Sequence, residues 1–495
     1  MTPDSADDLP EQMRVRREKL DRIRAEGIDP YPVGFARTST IAAVREAHAN
    51  LPADTFTGSR VGIVGRVVLY RTGGKLCFAT IRDGSGEIQV MLSLDKVGAE
   101  ALARWKSDVD LGDHVGVEGE VITSRSGELS VLADSWAMTA KGLRPLPDKH
   151  KGLADPEARV RQRYVDLIVN ADSREMVLTR AAVVRSVRST LDRHGYVEVE
   201  TPSLQTLHGG AAARPFKTHL NAFDLPMYLR IALELYLKRI VVGGIERVYE
   251  IGRIFRNEGV DSTHSPEFTM LEAYEAYGDY DTMAALTRDI VLDAARVVGS
   301  AVVPDGRGGS IDLEAPWHSV TIHEAVSRAV GVEVTIDTPV EELRAIADKL
   351  DVGLQPAWDH GQVLLELFEK LVEHTLIEPT FVRDYPESVR PLARPHRRDP
   401  RLVEAWDLII NGVELAPAYS ELVDPVEQRR RLTEQSLLAA GGDPEAMQLD
   451  EDFLRALEYG APPMGGLGLG IDRLVMLLTG VGIRETILFP LVRPE

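Results

Sequence analysis

The chain has 495 residues, of which 44% are hydrophobic and 27% are charged, a balance that is typical of a globular multidomain protein and excludes a disordered or fibrous chain. Lys and Arg number 57 against 77 Asp and Glu, and the net charge of −20 excludes an overall basic surface but not a local basic patch. The single cysteine, Cys77, excludes intramolecular disulfides and thiolate metal clusters. No apolar run approaches about 18 residues and the N-terminus has no apolar signal core, so we expect a cytoplasmic protein.

The first predicted element is a helix over residues 11–26, which contain no Pro or Gly and are followed by Gly27. Six basic residues in this helix oppose the global charge: Arg14, Arg16, Arg17, Lys19, Arg22 and Arg24. Two interpretations stay open, a solvated helix with i,i+4 ion pairs and an arm that contacts phosphates. We assign residues 1–55 to an N-terminal helical extension.

Residues 56–142 have the pattern of a small β-barrel. Five short segments rich in Val, Ile and Thr are separated by turn sequences such as TGG, DGSG and SRSG. Five strands in roughly 80 residues are typical of the OB fold, which often binds oligonucleotides on one face. The pattern alone favours a position for Phe78 in the barrel core.

The rest of the chain is predicted to be a linker followed by a mixed α/β domain. The linker, 143–172, is rich in Pro and charge, and a long helix is expected at 173–195 within a domain that spans 173–495. Residues 316–400 separate two blocks of charged motifs, and we interpret them as an insertion. No GxxxxGK[ST] phosphate loop is present, and no glycine-rich segment is placed like a dinucleotide fingerprint.

Some charged residues of this domain lie in apolar segments, and each has a structural explanation. Glu234 could occupy the exposed face of an amphipathic helix, and Arg256 could form an ion pair at a strand edge. Asp407 and Glu414 are seven residues apart in a segment that looks extended. They would lie on opposite faces of a regular strand, so a shared Mg²⁺ would require a bulge or a bend.

Three ordered segments resemble a known family: HGYVEVETPSLQ (194–205), YEIGRIFRNEG with HSPEFTMLEAY (249–274), and GLGLGIDR ending at Arg473. They are similar to motifs 1, 2 and 3 of class II aminoacyl-tRNA synthetases, and most similar to the lysine–tRNA ligase family. The resemblance covers nearly the whole chain. It implies an α+β multidomain fold, in which an OB-type anticodon-binding barrel precedes a catalytic domain with an antiparallel sheet flanked by helices. It also implies a homodimer that uses L-lysine, ATP, Mg²⁺ and tRNA(Lys).

The resemblance implies a set of ATP-binding residues: Arg256, Glu258, His264, Phe268, Glu414 and Arg473. Arg256 and Arg473 match the catalytic arginines that contact the α- and γ-phosphates, and planar guanidinium groups suit phosphate oxygens. Asp407 and Glu414 match the Mg²⁺ ligands of the family, and Mg²⁺ prefers hard oxygen donors.

A second implied set binds lysine: Gly210, Glu234, Arg256, Glu272, Tyr274, Tyr419 and Glu421. Glu234 matches the partner of the α-amino group, whereas Glu272 and Glu421 match partners of the ε-ammonium. A buried pocket with this many acids is costly unless a cation fills it. An aspartate pocket, as in the related aspartate and asparagine enzymes, would need basic groups instead.

In the barrel, the resemblance assigns Phe78 to base stacking and Gln89 and Glu128 to recognition of the central anticodon uridine. Aromatic stacking is worth about 1–3 kcal/mol per base, and hydrogen bonds to base edges provide specificity.

Two positions depart from the family pattern. Pro417-Ala418-Tyr419 stands where the family usually has Asn-Gly-Phe or Asn-Gly-Tyr, and Leu233 stands where it usually has Pro. The resulting APAYSEL sequence resembles the synthetase half of actinobacterial two-part lysyl-phosphatidylglycerol synthases. Two alternatives therefore stay open: lysylation dedicated to lysyl-phosphatidylglycerol synthesis, and a catalytically silent synthetase-like protein that binds tRNA or another ligand.

Overall fold

The protein is represented by a computed structural model that describes residues 10–147, 152–261, 264–440 and 447–493. The chain divides into two compact units, Met1–Ala154 and Asp155–Glu495. The boundary lies inside the segment that the sequence predicts as a linker. Among the described residues, no helix has the length and apolar character needed to cross a membrane.

The first unit contains a closed five-stranded barrel with the strand order β1-β2-β3-β5-β4, which confirms the OB-type fold class. Its elements are α1 (Glu11–Ala25), α2 (Ile41–Ala47), β1 (Phe56–Thr72), β2 (Leu76–Arg82), β3 (Glu87–Ser93), α3 (Leu94–Val97), α4 (Ala99–Asp108), β4 (His114–Thr123) and β5 (Leu129–Ala140).

Strand β2 shows how the barrel separates its core from its surface. Cys77, Ala79 and Ile81 are buried and alternate with less buried residues, because successive side chains of a strand point to opposite faces. Phe78 therefore lies on the outward face, and the core position that the bare pattern favoured for it is wrong.

Helix α1 is neither a purely solvated helix nor a free basic arm. Arg16 is buried and donates to the carbonyl oxygens of Leu111, Gly142 and Arg144. Lys19 and Arg22 form ion pairs with Asp110 and Asp108, while Arg14, Arg17 and Arg24 stay exposed. Half of the basic residues of α1 thus attach the helix to its own unit.

The second unit begins with helices inside the predicted linker, which is therefore not extended throughout. Its helices are α5 (Pro156–Arg161), α6 (Arg163–Val169), α7 (Ala171–Arg193), α8 (Glu234–Val242), α9 (Tyr280–Val298), α10 (Ile322–Val330), α11 (Val340–Lys349), α12 (His360–Leu371), α13 (Pro425–Ala440), α14 (Glu451–Glu458), α15 (Ile471–Thr479) and α16 (Ile483–Thr486). Two 3₁₀ helices cover Glu373–Thr375 and Glu387–Val389.

The strands of this unit form one large sheet and two small ones. In chain order they are β6 (Val197–Glu198), β7 (Leu204–Gln205), β8 (Lys217–Leu220), β9 (Leu225–Leu229), β10 (Arg247–Phe255), β11 (Glu267–Ala276), β12 (Val302–Pro304), β13 (Ser310–Asp312), β14 (His318–Thr321), β15 (Thr380–Pro386), β16 (Leu402–Ile410), β17 (Val413–Ser420) and β18 (Met464–Gly470). The large sheet has the order β14-β15-β16-β17-β18-β11-β10-β6, and its six inner strands are antiparallel. Helices α7 and α9 contribute to the hydrophobic core beside it, which confirms the antiparallel sheet flanked by helices.

The predicted insertion, 316–400, is more than an excursion from the sheet. It supplies strands β14 and β15 at one edge, and its helices build a separate hydrophobic cluster around Leu343, Leu364 and Phe368. The sequence did not reveal this role, because the two strands are short and lie about 60 residues apart.

Candidate active site

A cavity of about 380 Å³ lies on the sheet of the second unit. It is lined by every residue that the family resemblance assigned to ATP, lysine or metal: Gly210, Glu234, Arg256, Glu258, His264, Phe268, Glu272, Tyr274, Asp407, Glu414, Tyr419, Glu421 and Arg473. Residues from distant parts of the chain therefore meet at one place, as the sequence predicted. The individual roles remain predictions.

Side chains of strand β11 alternate between the hydrophobic core and the cavity. Leu271 and Ala273 point into the hydrophobic core, whereas Met270, Glu272 and Tyr274 line the cavity on the opposite face. The neighbouring strand β18 repeats the arrangement, with leucines in the core and glycines towards the cavity. Gly466 in particular leaves room for the site, because a Cβ atom there would clash with Glu421.

Two of the predicted site residues, Arg256 and Arg473, contribute positive charge to the cavity. The Arg256 guanidinium lies over the Phe268 ring, 5.3 Å from its centroid, and burial lowers the pKa of Arg256 although Glu258 and other nearby acids oppose this. Arg473 Nη1 donates to the backbone oxygen of Glu414 over 2.6 Å. Both guanidinium groups line the cavity, where they can engage phosphate or carboxylate oxygens.

Glu272 is held at both carboxylate oxygens. Its Oε1 accepts from the backbone N–H of Leu233 over 2.8 Å, and its Oε2 accepts from the Tyr274 hydroxyl over 3.0 Å. Burial, followed by repulsion from Glu234, raises the pKa of Glu272 to about 7. A proline at position 233, which the family usually has, would lack this N–H. The departure at Leu233 thus adds a donor to the site.

Sequence reasoning missed Lys238, which lies among the acids. Its Nζ is 2.6 Å from Glu234 Oε1 and 2.5 Å from Glu421 Oε2. Burial raises the pKa of Glu421 to about 8, although Lys238 opposes this effect. The available signal was the i,i+4 spacing of Glu234 and Lys238 in a largely apolar helix.

The candidate metal ligands lie on adjacent strands of a hairpin. Strands β16 and β17 are joined by Asn411 and Gly412, both with positive φ, and a register shift follows Leu408. Asn-Gly is a strong hairpin signal, and the turn supplies the bend that the spacing of Asp407 and Glu414 requires. Burial and repulsion from Asp407 raise the pKa of Glu414, as expected for two carboxylates that meet.

An arginine holds one oxygen of Asp407. Its Oδ2 lies 2.5 Å from Arg390 Nη2, and Arg390 is a cavity residue that the sequence analysis missed. The Oδ1 atom of Asp407 is buried. No cluster of three or more His, Cys, Asp or Glu side chains suited to a metal occurs among the described residues. The donor set fits a hard cation that takes its other ligands from a phosphate substrate.

The remaining residues line the rim and floor of the cavity. Glu258 is exposed and accepts from the backbone N–H of Arg214 over 3.1 Å, and His264 is exposed beside Asp261. Gly210 has φ +86°, which favours glycine, and a Cβ there would press against Ala232.

The candidate anticodon residues lie on the barrel surface. Phe78 and Gln89 share the outward face of β2 and β3, since Thr80 pairs with Gln89 and follows Phe78 by two positions. Gln89 Nε2 donates to Ser130 Oγ over 2.9 Å. Glu128 is exposed, immediately before the β5 strand that pairs with β3.

Comparison with known proteins agrees with this arrangement. Residues 155–493 match the model of class II tRNA synthetases (D, K and N), and residues 61–138 match an OB-fold nucleic acid binding domain of the tRNA anticodon type. The first match covers more than half of the chain, so the chain belongs to the class II tRNA synthetases of this group.

The relatives narrow the assignment within that class. The chain is 55% identical to a lysine–tRNA ligase of Mycobacterium tuberculosis (strain H37Ra), over 99% of both chains. It is 57% identical to the lysine–tRNA ligase of Kineococcus radiotolerans, over 99% of this chain and 98% of that one. It is also 54% identical to the lysylphosphatidylglycerol biosynthesis bifunctional protein LysX of Nocardia farcinica, over 99% of this chain but 43% of LysX. The family predicted from the three motifs is confirmed.

Proposed function

We propose that this chain is a lysine–tRNA ligase. It activates L-lysine with ATP to lysyl-adenylate and pyrophosphate, and it transfers the lysyl group to the 3′ end of tRNA(Lys) with release of AMP. The observation that carries the proposal is a single cavity that combines buried carboxylates for a cationic amino acid with arginines for a nucleotide. Full-length similarity to lysine–tRNA ligases supports it.

Activation requires positioning more than proton transfer. The α-carboxylate of lysine is ionised near pH 7, so it attacks the α-phosphate without a general base. Arg256 binds the α-phosphate and Arg473 the γ-phosphate, and their fixed charges stabilise the negative charge that develops during the displacement. Glu258 and Phe268 bind adenine. Asp407 and Glu414 would hold Mg²⁺, which would supply further charge neutralisation at the phosphates.

Lysine is selected by charge. Glu234 binds the α-ammonium group, and Glu272 and Glu421 bind the ε-ammonium group beside Tyr274 and Tyr419. Buried carboxylates attract an ammonium group more strongly than exposed ones do, because water screens them less. Ornithine is one methylene shorter, and its rejection is worth only about 1–3 kcal/mol.

The barrel selects the tRNA. Phe78 stacks on an anticodon base, while Gln89 and Glu128 read the central uridine by hydrogen bonds. The same proposal includes a cytoplasmic homodimer with an interface around Pro202, which is motif 1. Exposed apolar side chains within this motif support an interface, since Val197 is 51% exposed and Leu204 is 49% exposed.

The two alternatives fit the observations less well. A silent binding protein has no need for the complete set of arginines and carboxylates in one cavity. Supply of lysyl-tRNA for lysyl-phosphatidylglycerol synthesis uses the same chemistry, and similarity to LysX supports a relationship with that route. The full-length relatives are lysine–tRNA ligases, so general aminoacylation is the favoured function.

The test is amino-acid-dependent ATP–pyrophosphate exchange with lysine, ornithine and aspartate offered separately, followed by aminoacylation of tRNA(Lys). We expect exchange with lysine, weaker exchange with ornithine and none with aspartate. Absence of exchange with all three would contradict the proposal and favour a silent protein. Exchange with lysine without transfer to tRNA would contradict the second step alone.

A further inference from the structure

Lys238 is the most deeply buried cation of the cavity region and has no role in the reaction described above. Its side chain is 1% exposed, and its ammonium group lies between Glu234 and Glu421. Glu234 precedes it by one turn of helix α8, whereas Glu421 follows strand β17 and is far away in the sequence. Lys238 therefore joins two elements rather than merely pairing along its own helix.

Each ion pair of Lys238 occupies one carboxylate oxygen, Oε1 of Glu234 and Oε2 of Glu421. A carboxylate has a second oxygen and further lone pairs, so each acid keeps acceptor sites beyond its contact with Lys238. Glu234 and Glu421 also line the cavity. Their orientation is thus set by Lys238 while both carboxylates can still accept hydrogen bonds from a ligand.

The charges point to the kind of ligand that this arrangement fits. Glu234, Glu272 and Glu421 contribute three negative charges when ionised, and Lys238 cancels one of them. Two negative charges remain, which equals the number of ammonium groups on lysine. The substrate's own carboxylate is matched separately by Arg256, which lines the same cavity. Without Lys238, a buried carboxylate would stay uncompensated, at a high cost in free energy.

We propose that Lys238 is a positioning residue for lysine: it orients Glu234 and Glu421, and it sets the charge of the pocket to match a diammonium substrate. This inference rests on the proposed function, because it assumes that the pocket binds lysine. In this proposal, Lys238 of the protein adjusts the charge of the pocket so that it suits the substrate lysine.

The titratable groups on neighbouring elements are consistent with this role of Lys238. Glu272 and Tyr274 face it from β11, and Tyr419 faces it from β17. Helix α14 also packs against α8, but the acidic residue at its N-terminus, Asp450, pairs with Arg239 instead. Among the ion pairs of the described residues, Lys238 is thus the cation that pairs with Glu234 and Glu421.

The test compares Lys238→Met and Lys238→Gln, which remove the charge, with Lys238→Arg, which keeps it. The glutamine variant retains a hydrogen-bond donor and so guards against a failure to fold. Lys370→Met removes an exposed lysine of α12 and serves as the matched control. Each full-length variant is assayed by ATP–pyrophosphate exchange across pH 6–9 while lysine and ATP are varied separately, and folding is checked by thermal melting.

We expect the neutral variants to raise the KM for lysine by about 30-fold or more, since removal of one partner of a buried charge pair is costly, and to leave the KM for ATP nearly unchanged. The acidic limb of kcat/KM for lysine should move to higher pH, because the carboxylates lose the cation that favours their ionised form. Lys238→Arg should retain most of both properties.

Two results would overturn the inference: neutral variants with the wild-type KM for lysine and pH limb, or an arginine variant as impaired as the neutral ones. A merely structural lysine would change the melting temperature and both KM values without moving the pH limb. Failure of the proposed function is distinguishable, because the wild-type protein would then show no exchange with lysine.

Discussion

The cavity of the second unit and the outer face of the barrel present polar groups in opposite ways. Glu272 and Glu421 are 3% and 2% exposed and are fixed by neighbouring donors, whereas the Glu128 side chain is 53% exposed. A small charged substrate is bound best by protein charges that are already buried. Their attraction for the substrate is then weakly screened by water, and they need not reorient when it binds. A single-stranded base is held by a ring that it can stack on, without buried charge. Substitutions in the two regions should therefore differ in how much activity they remove and in which reaction step they affect.

The largest effect is expected from Arg256→Ala. It removes a partly buried guanidinium from the proposed phosphate site, and loss of one such stabilising group costs about 10²–10³ in rate. ATP–pyrophosphate exchange with lysine measures the loss. Arg253→Ala is the matched control, because Arg253 lies on β10 three residues before Arg256, is exposed and pairs only weakly with Glu267 over 3.5 Å. Equal activity of the two variants would show that a charge in the cavity contributes no more to the reaction than an exposed one.

A somewhat smaller effect is expected from Glu272→Gln. Loss of a charge that pairs with the substrate's ammonium group should lower kcat/KM for lysine by about 30-fold or more. The KM for ATP should change little, and Glu267→Gln, an exposed change on the same strand, should leave exchange intact. Unchanged lysine kinetics of Glu272→Gln would remove this residue from the lysine pocket.

The buried acids also predict a pH dependence that the barrel does not share. The pKa values of Glu272 and Glu421 are raised to about 7 and about 8. Below these values the carboxylates bind protons and attract lysine less, so kcat/KM for lysine should rise as pH increases from 6 to 8, by up to about tenfold per unit. The measurement is exchange at subsaturating lysine, with binding of tRNA as the comparison. A flat profile would contradict the raised values.

The smallest effect is expected from Phe78→Ala, and it should be confined to tRNA. Loss of one stacked base costs about 1–3 kcal/mol, so kcat/KM for tRNA should fall by about 5- to 150-fold while exchange stays at the wild-type rate. Phe56→Ala removes another aromatic side chain of the first unit, 61% exposed on β1, and should leave both steps intact. A loss of exchange in Phe78→Ala would show that the two regions do not act separately.

The sequence predicted the barrel, the family and the members of the cavity, because these depend on alternation, turns and ordered motifs. It did not predict the partners that stabilise the charges. Lys238 and Arg390 were not singled out, since their acidic partners Glu421 and Asp407 lie 183 and 17 residues further along the chain. Long-range ion pairs leave no local pattern, so only the folded chain reveals them.

The turn at Asn411 and Gly412 has a consequence for how this protein can change over evolutionary time. Asp407 and Glu414 reach one cavity only because the hairpin between them has a fixed number of residues. One residue inserted into or deleted from either strand between them would turn one carboxylate to the opposite face of the sheet. The strand segments between Asp407 and Glu414 therefore cannot change by a single residue without loss of the paired carboxylates.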